Sequence, residues 1–206
     1  MKTFLGGEGP DDLGRWSKEP TYAEVSDEVG VLEALLRRVV AAAEIVGGHP
    51  WKRIPKYRVD RSIRAAEIQN VVGLTQLAWE RGAEALVFAR DRDRDEDREQ
   101  DVNAGVEKAR EKFPDMKIAG GMAIESLEGW VLAMLGDTRA EAHGRPKDVL
   151  AEQHQIRTRE EKVRVVERAE LGRVPVSAAS LLRWLAAVTL LSTGDDQAPA
   201  SVDHAP

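Results

Sequence analysis

"EALVFARDRDRDED", Glu84 to Asp97, decides the fold. Glu84 to Ala89 is an apolar run of strand length, apolar enough to be covered on both faces as the strands of a parallel sheet are. It passes directly into closely spaced acids. Outward from it, the stretch from about Ser62 to Arg81 reads as a helix stopped by Gly82, and Val102 to Phe113 reads as a charged surface helix. "MKIAGGMA", Met116 to Ala123, is the next strand, and "IESLEGWVLAMLG" after it is a helix with an apolar stripe through Leu127, Val131 and Leu135. Alternating strands and helices predict an α/β fold: a mostly parallel sheet flanked by helices, with ligands gathering at the carboxyl ends of the strands.

The amino-terminal part carries the same logic less cleanly. Lys2 to Leu5 reads as a short buried strand, followed by "GGEGPDD" (Gly6 to Asp12) and a long loop to Val25. A helix is expected from Ser26 as N-cap through Val29, Leu32, Leu36 and Val40 to a stop at Gly47. "RIPKYRV", Arg53 to Val59, is expected as a second strand, placed at an edge by Pro55. Beyond Asp137 only helices are expected, near Pro146 to Gln153, Thr158 to Leu171 and Ser177 to Leu191. The division is therefore an α/β domain over residues 1–137, a helical extension packed on it over 138–191, and a disordered tail over 192–206.

Composition narrows the class. A chain of 206 residues with 42% apolar and 32% charged residues suits a soluble globular protein, and no apolar run approaches the roughly 20 residues of a membrane span. No signal-like stretch and no cysteine is present, so the cytoplasm is the default compartment and thiolate metal sites are excluded. The net charge of −6 argues against a generally basic nucleic-acid coat and leaves room for a local basic patch.

Three acidic elements follow strands. Asp91 and Asp93 alternate in a loop, a spacing that can bring two carboxylates to one hard cation such as Mg²⁺ or Mn²⁺. An EF-hand is excluded, because Glu96 stands where glycine and Val102 where glutamate is needed. Glu8 lies between glycines that let the chain turn tightly beside a ligand; "GGEGPDD" lacks the Gly-Lys-Ser/Thr ending of a phosphate-binding loop. Glu125 and Glu128, three apart, share a face at the start of a helix. A solvated turn balanced by Arg92, Arg94 and Arg98 is the plainer account of the second element, and favourable placement at a positive helix end that of the third. His143 and His154 have no partner at metal-ligand spacing.

Glu8-Gly9 with Asp12, Asp91 and Asp93 in "ARDRD", and Glu128-Gly129-Trp130 with Asp137 in "ESLEGWVLAMLGD" together resemble the Toprim (topoisomerase-primase) fold. More narrowly, they are similar to small bacterial Toprim-like proteins related to overcoming-lysogenization-defect nucleases. The resemblance covers roughly residues 1–137, departing from the family in the long loop with Trp16 and Tyr22 and in Gly129, where alanine is more usual. It implies that Glu8, Asp91, Asp93 and Glu128 are the catalytic and metal-binding residues of a Mg²⁺- or Mn²⁺-dependent nuclease. Glu8 would be general acid or base or a further ligand, and the setting bacterial genome defence. The alternative is a non-catalytic Toprim-like binding or regulatory module in a multi-protein complex; a phosphotransferase or phosphatase acting on small molecules is a third class.

"HPWKRIPKYRVDRSIR", His49 to Arg64, interleaves Lys52, Arg53, Lys56, Arg58 and Arg61 with Trp51 and Tyr57, a composition suited to phosphate contact and base stacking. The partner expected from it is nucleic acid; the plainer account is a solvated edge strand. The apolar helix "SAASLLRWLAAVTLL" leaves room for a homodimer, a partner protein is a further candidate, and no membrane partner is expected.

Overall fold

The computed structural model describes residues 1–14, 28–54 and 65–193. Four strands, β1 (Lys2–Gly7), β2 (Glu44–Pro50), β3 (Ala85–Asp91) and β4 (Lys117–Ala123), form one sheet in the order β2-β1-β3-β4. Every pairing is parallel, with Thr3 beside Ala85 and Ala85 beside Lys117. The chain is thus α/β as expected, with helices α1 (Pro10–Leu13), α2 (Val31–Val39), α3 (Ala66–Glu80), α4 (Glu96–Lys112), α5 (Leu127–Met134), α6 (Pro146–Gln153), α7 (Arg159–Arg168) and α8 (Ala179–Thr193).

Side-chain alternation along the strands sorts the core into two layers. Phe4, Leu86, Phe88, Ile118 and Met122 face α3 and α4. Leu5, Val87, Ala89, Ala119 and Ala123 join Leu32, Leu132, Val166 and Trp184 from α2, α5, α7 and α8. The carboxyl-terminal helices therefore share a core with the sheet, where Trp184 Nε1 donates to the Phe88 carbonyl (2.9 Å) and the Trp130 and Trp184 rings lie 5.5 Å apart. Arg38 of α2 caps the open end of α7, donating to the carbonyls of Val166 (2.7 Å), Glu167 (2.6 Å) and Ala169 (2.8 Å).

Three boundaries differ from expectation. The helix expected from Ser26 to Gly47 is α2 alone, with Gly30 at its N-cap; Ser26 lies outside the described residues. Its supposed last turn is β2. Gly47, expected as a helix stop, is a strand residue opposite Phe4, and a Cβ there would lie 2.7 Å from the Phe4 ring. A long-range contact, invisible to local pattern, requires that glycine. Trp51 to Arg53 forms a 3₁₀ turn instead of opening a strand, and residues 55–59 of the expected "RIPKYRV" strand are outside the described residues. The helix expected from Val102 begins at Glu96, because Asp95 caps it by accepting from the Arg98 amide (3.2 Å), with Glu96, Asp97 and Glu99 in its positive first turn. Ser192 and Thr193, expected at the start of a disordered tail, belong to α8; the rest of that stretch, 194–206, lies outside the described residues. No described helix is long and apolar enough to cross a membrane.

Candidate functional site

Both acids of "ARDRD" stand at the carboxyl end of β3, yet their side chains part. Asp91, last residue of the strand, follows Val87 and Ala89 onto the α5–α7 side, where its Oδ1 accepts from the Leu127 amide (3.0 Å). Asp93 sits in a turn with φ of 50°, is 60% exposed, and pairs with Arg98 at 2.9 Å. The two acids do not converge on one point.

Asp91 instead meets Asp12 and Glu128. Asp12, buried in α1, accepts the Glu8 amide at 2.6 Å and is pushed up to about 7 by burial, then by Glu128 and Asp11. Asp91 is pushed up to about 8 by burial, then by Asp12 and Glu128. Burial alone would raise Glu128 as well, but the Lys162 charge and hydrogen bond outweigh it and hold this carboxyl below its ordinary value. Lys162, only 3% exposed, reaches from α7 to Glu128 (2.6 Å) and Asp11 (2.8 Å), and these partners hold its ammonium up against burial. Val31, Leu127 and Val131 complete the crevice around Asp11, Asp12, Glu128 and Lys162. Of the four acids Asp11, Asp12, Asp91 and Glu128, Lys162 pairs with Asp11 and Glu128 and acts on Asp12 through its charge.

Glu8 turns to the opposite face. Its carboxylate pairs with Arg90 and lies 4.0 Å from Lys52. Arg90, 8% exposed, is also gripped by Glu67 of α3, through Nε (3.2 Å) and Nη2 (2.9 Å), and lies over the Trp51 ring at 5.7 Å. Glu67 further accepts Trp51 Nε1 (2.6 Å) and pairs with Arg98 (3.3 Å). Arg94 pairs with Glu125 (3.3 Å), and Arg92 lies 3.8 Å from the same carboxylate.

Glu8, Asp91 and Glu128 therefore gather around one strand-end edge, Glu8 by its backbone only, and Asp93 stands apart with Arg98. Asp137 lies elsewhere, accepting the Arg139 amide (2.7 Å) and pairing with His143 (2.8 Å), which hold it low against burial. Lys52 and Arg53 are exposed beside Glu8 and Trp51; Lys56, Arg58 and Arg61 lie outside the described residues. Among the described residues no group of three His, Asp or Glu side chains is arranged to hold a metal as it stands. The donor chemistry is of the kind a hard divalent ion takes: oxygen ligands alone, with two carboxyls raised first by burial and then by neighbouring carboxylates.

Asp12, Asp11, Lys162, Glu67 and Arg90 were not among the site residues expected from sequence. Arg90 had a signal, since period-two alternation from Leu86 and Phe88 puts it on the face of Glu8. Lys162 had none, being a helix lysine 151 residues from Asp11. Comparison with known proteins returns no match to a family model, a curated protein or a solved structure.

Proposed function

We propose that the chain is a metal-dependent phosphodiesterase acting on nucleic acid. The observation that carries this reading is the surplus of buried carboxylate at the carboxyl end of a parallel sheet, where Asp12 and Asp91 are raised to about 7 and about 8. Asp12, Asp91 and Glu128 would hold Mg²⁺ or Mn²⁺, which when bound would supply Lewis-acid stabilisation of a phosphoryl group. The Leu127 amide fixes Asp91 through Oδ1, Lys162 orients Glu128, and Val31, Leu127 and Val131 line the crevice. The test is cleavage of plasmid, linear duplex, single-stranded DNA and RNA with Mg²⁺ or Mn²⁺. Wild type should cleave at least one of them and Asp91→Ala none; equal cleavage by both would end the proposal.

A second reading, a non-catalytic binding module, is favoured by one feature: Glu8, Asp93 and Glu128 each already pair with a cation of their own chain. Melting with and without Mn²⁺, read beside cleavage, separates the two. An ion bound at a hundred times its Kd adds about 2.7 kcal/mol of stability; such a shift with no cleavage of any substrate is the outcome the module reading expects of a structural ion, and no shift with no cleavage its outcome without one.

A further inference from the structure

β4 ends the sheet, with β3 on one side of it and no strand among the described residues on the other. The Lys117 amide donates to the Glu84 carbonyl (3.1 Å) and the Ala123 carbonyl accepts from the Arg92 amide (3.0 Å), so Lys117, Ala119, Gly121 and Ala123 turn their backbone groups toward β3. Ile118, Gly120 and Met122 turn theirs outward. Among the described residues one group answers them: Arg110 of α4 donates through Nη2 to the Ile118 carbonyl at 3.3 Å. Gly120 is partly exposed, and having no side chain it shows backbone. An edge with unanswered amides and carbonyls is a template for one more strand.

Charge says which strand fits. α4 begins at the carboxyl end of the sheet with Glu96, Asp97, Glu99 and Asp101, and finishes at the amino end with Lys108, Arg110 and Lys112. Arg110 stands level with Ile118, whose carbonyl it holds, and Glu99 lies about 16 Å back along the helix. Met122 lies about 13 Å along β4 from Ile118, which brings it near the level of Glu99. A second β4 laid antiparallel about Gly120 sets Ile118 against Met122 of the second copy, and Arg110 against its Glu99. The edge is complementary to itself. α4 and α8 lie on opposite faces, and the pair of Arg183 with Glu99 (3.1 Å) joins them near the carboxyl end of β4. Arg183 is 61% exposed, and exposed pairs of this kind hold weakly.

We propose that β4 is the interface with a second copy of this chain: the two β4 strands pair antiparallel about a two-fold axis at Gly120 and join two four-stranded sheets into one. The outward amides and carbonyls of Ile118, Gly120 and Met122 satisfy those of the second copy. Arg110 leaves the Ile118 carbonyl for Glu99 of the second copy, and the Arg183 strap opens. The two acid crevices then lie at opposite ends of the joint sheet. None of this depends on the phosphodiesterase reading.

The experiment uses the full chain, with sedimentation velocity over a concentration series and backbone amide exchange followed by NMR. Wild type should sediment as a dimer at the high end, where the Gly120 and Met122 amides should exchange about tenfold more slowly than in dilute protein. The Gly121 amide, which faces β3, should not change. Arg110→Glu or Glu99→Arg alone should weaken the dimer about tenfold, and both in one chain should restore it. A melting curve for each variant confirms folding. A chain that stays monomeric to about 1 mM overturns the proposal and leaves the edge to an extended segment of another protein. A dimer whose Gly120 and Met122 amides exchange as they do in dilute protein overturns it equally, since its interface lies elsewhere.

Discussion

Arg90 and Asp91 are adjacent in β3 and point to opposite faces, and what surrounds each differs in charge balance. Around Arg90, every carboxylate has a guanidinium or ammonium to answer it. Around Asp91, Lys162 pairs with Asp11 and Glu128, and Asp12 and Asp91 rise toward neutrality, first through burial and then through the neighbouring carboxylates. One side of the strand end is satisfied by its own chain; the other is left wanting positive charge. The plainer account of the arginine-acid alternation, a balanced turn, thus holds for Asp93 and Asp95, and fails for Asp91.

The contrast breaks most severely at Lys162. Lys162→Met leaves buried Glu128 without its cation and should cost about 3–5 kcal/mol in urea unfolding at pH 8, the range for removing one partner of a buried pair. Mn²⁺ should restore part of that loss. On the balanced side, Glu67→Gln weakens its pairing with Arg90 and Arg98 and should cost about 2 kcal/mol. Mn²⁺ should recover none of it; equal rescue of both variants would erase the distinction.

A smaller effect, sharper in sign, comes from pH. Asp91 has an ordinary value of 3.8 and titrates at about 8 in the fold, and Asp12 at about 7. Between the unfolded and folded values the native state holds protons that the unfolded chain has lost, so stability falls as pH rises from about 4 toward about 8. Metal-free protein should melt a few degrees lower at pH 8 than at pH 5.5, and Asp91→Asn should flatten the trend. A rising profile over this range would show the acid cluster to be compensated after all. The smallest change concerns Gly129, where an added Cβ would meet nothing closer than 3.4 Å. Gly129→Ala should stabilise by up to about 1 kcal/mol without altering the pH trend.

Period and composition made the sheet legible: Lys2–Gly7, Ala85–Asp91 and Lys117–Ala123 fall where apolar runs predict them, and α6 runs from Pro146 to Gln153 as expected. β2 was not legible, because Gly47 and Gly48 look like a helix stop until Phe4 and Leu5 are set beside them. In the site, strand alternation alone already separates Glu8 and Arg90 from Asp91; reading the acids by proximity in sequence hid this. Asp12 stood in the quoted motif, but its burial depends on the turn of α1. Lys162 depends on how α7 docks, through Val163 and Val166 in the core and Arg38 of α2 at its end.

That docking has a consequence in time. A ribosome adds roughly 5–20 residues per second, so the 151 positions between Asp11 and Lys162 separate the two partners by on the order of ten seconds or more of synthesis. Throughout that interval the nascent acids must stay hydrated or borrow a counter-ion from solution. The crevice can close only when the carboxyl-terminal helices have arrived, which makes its assembly a late event in the life of each molecule.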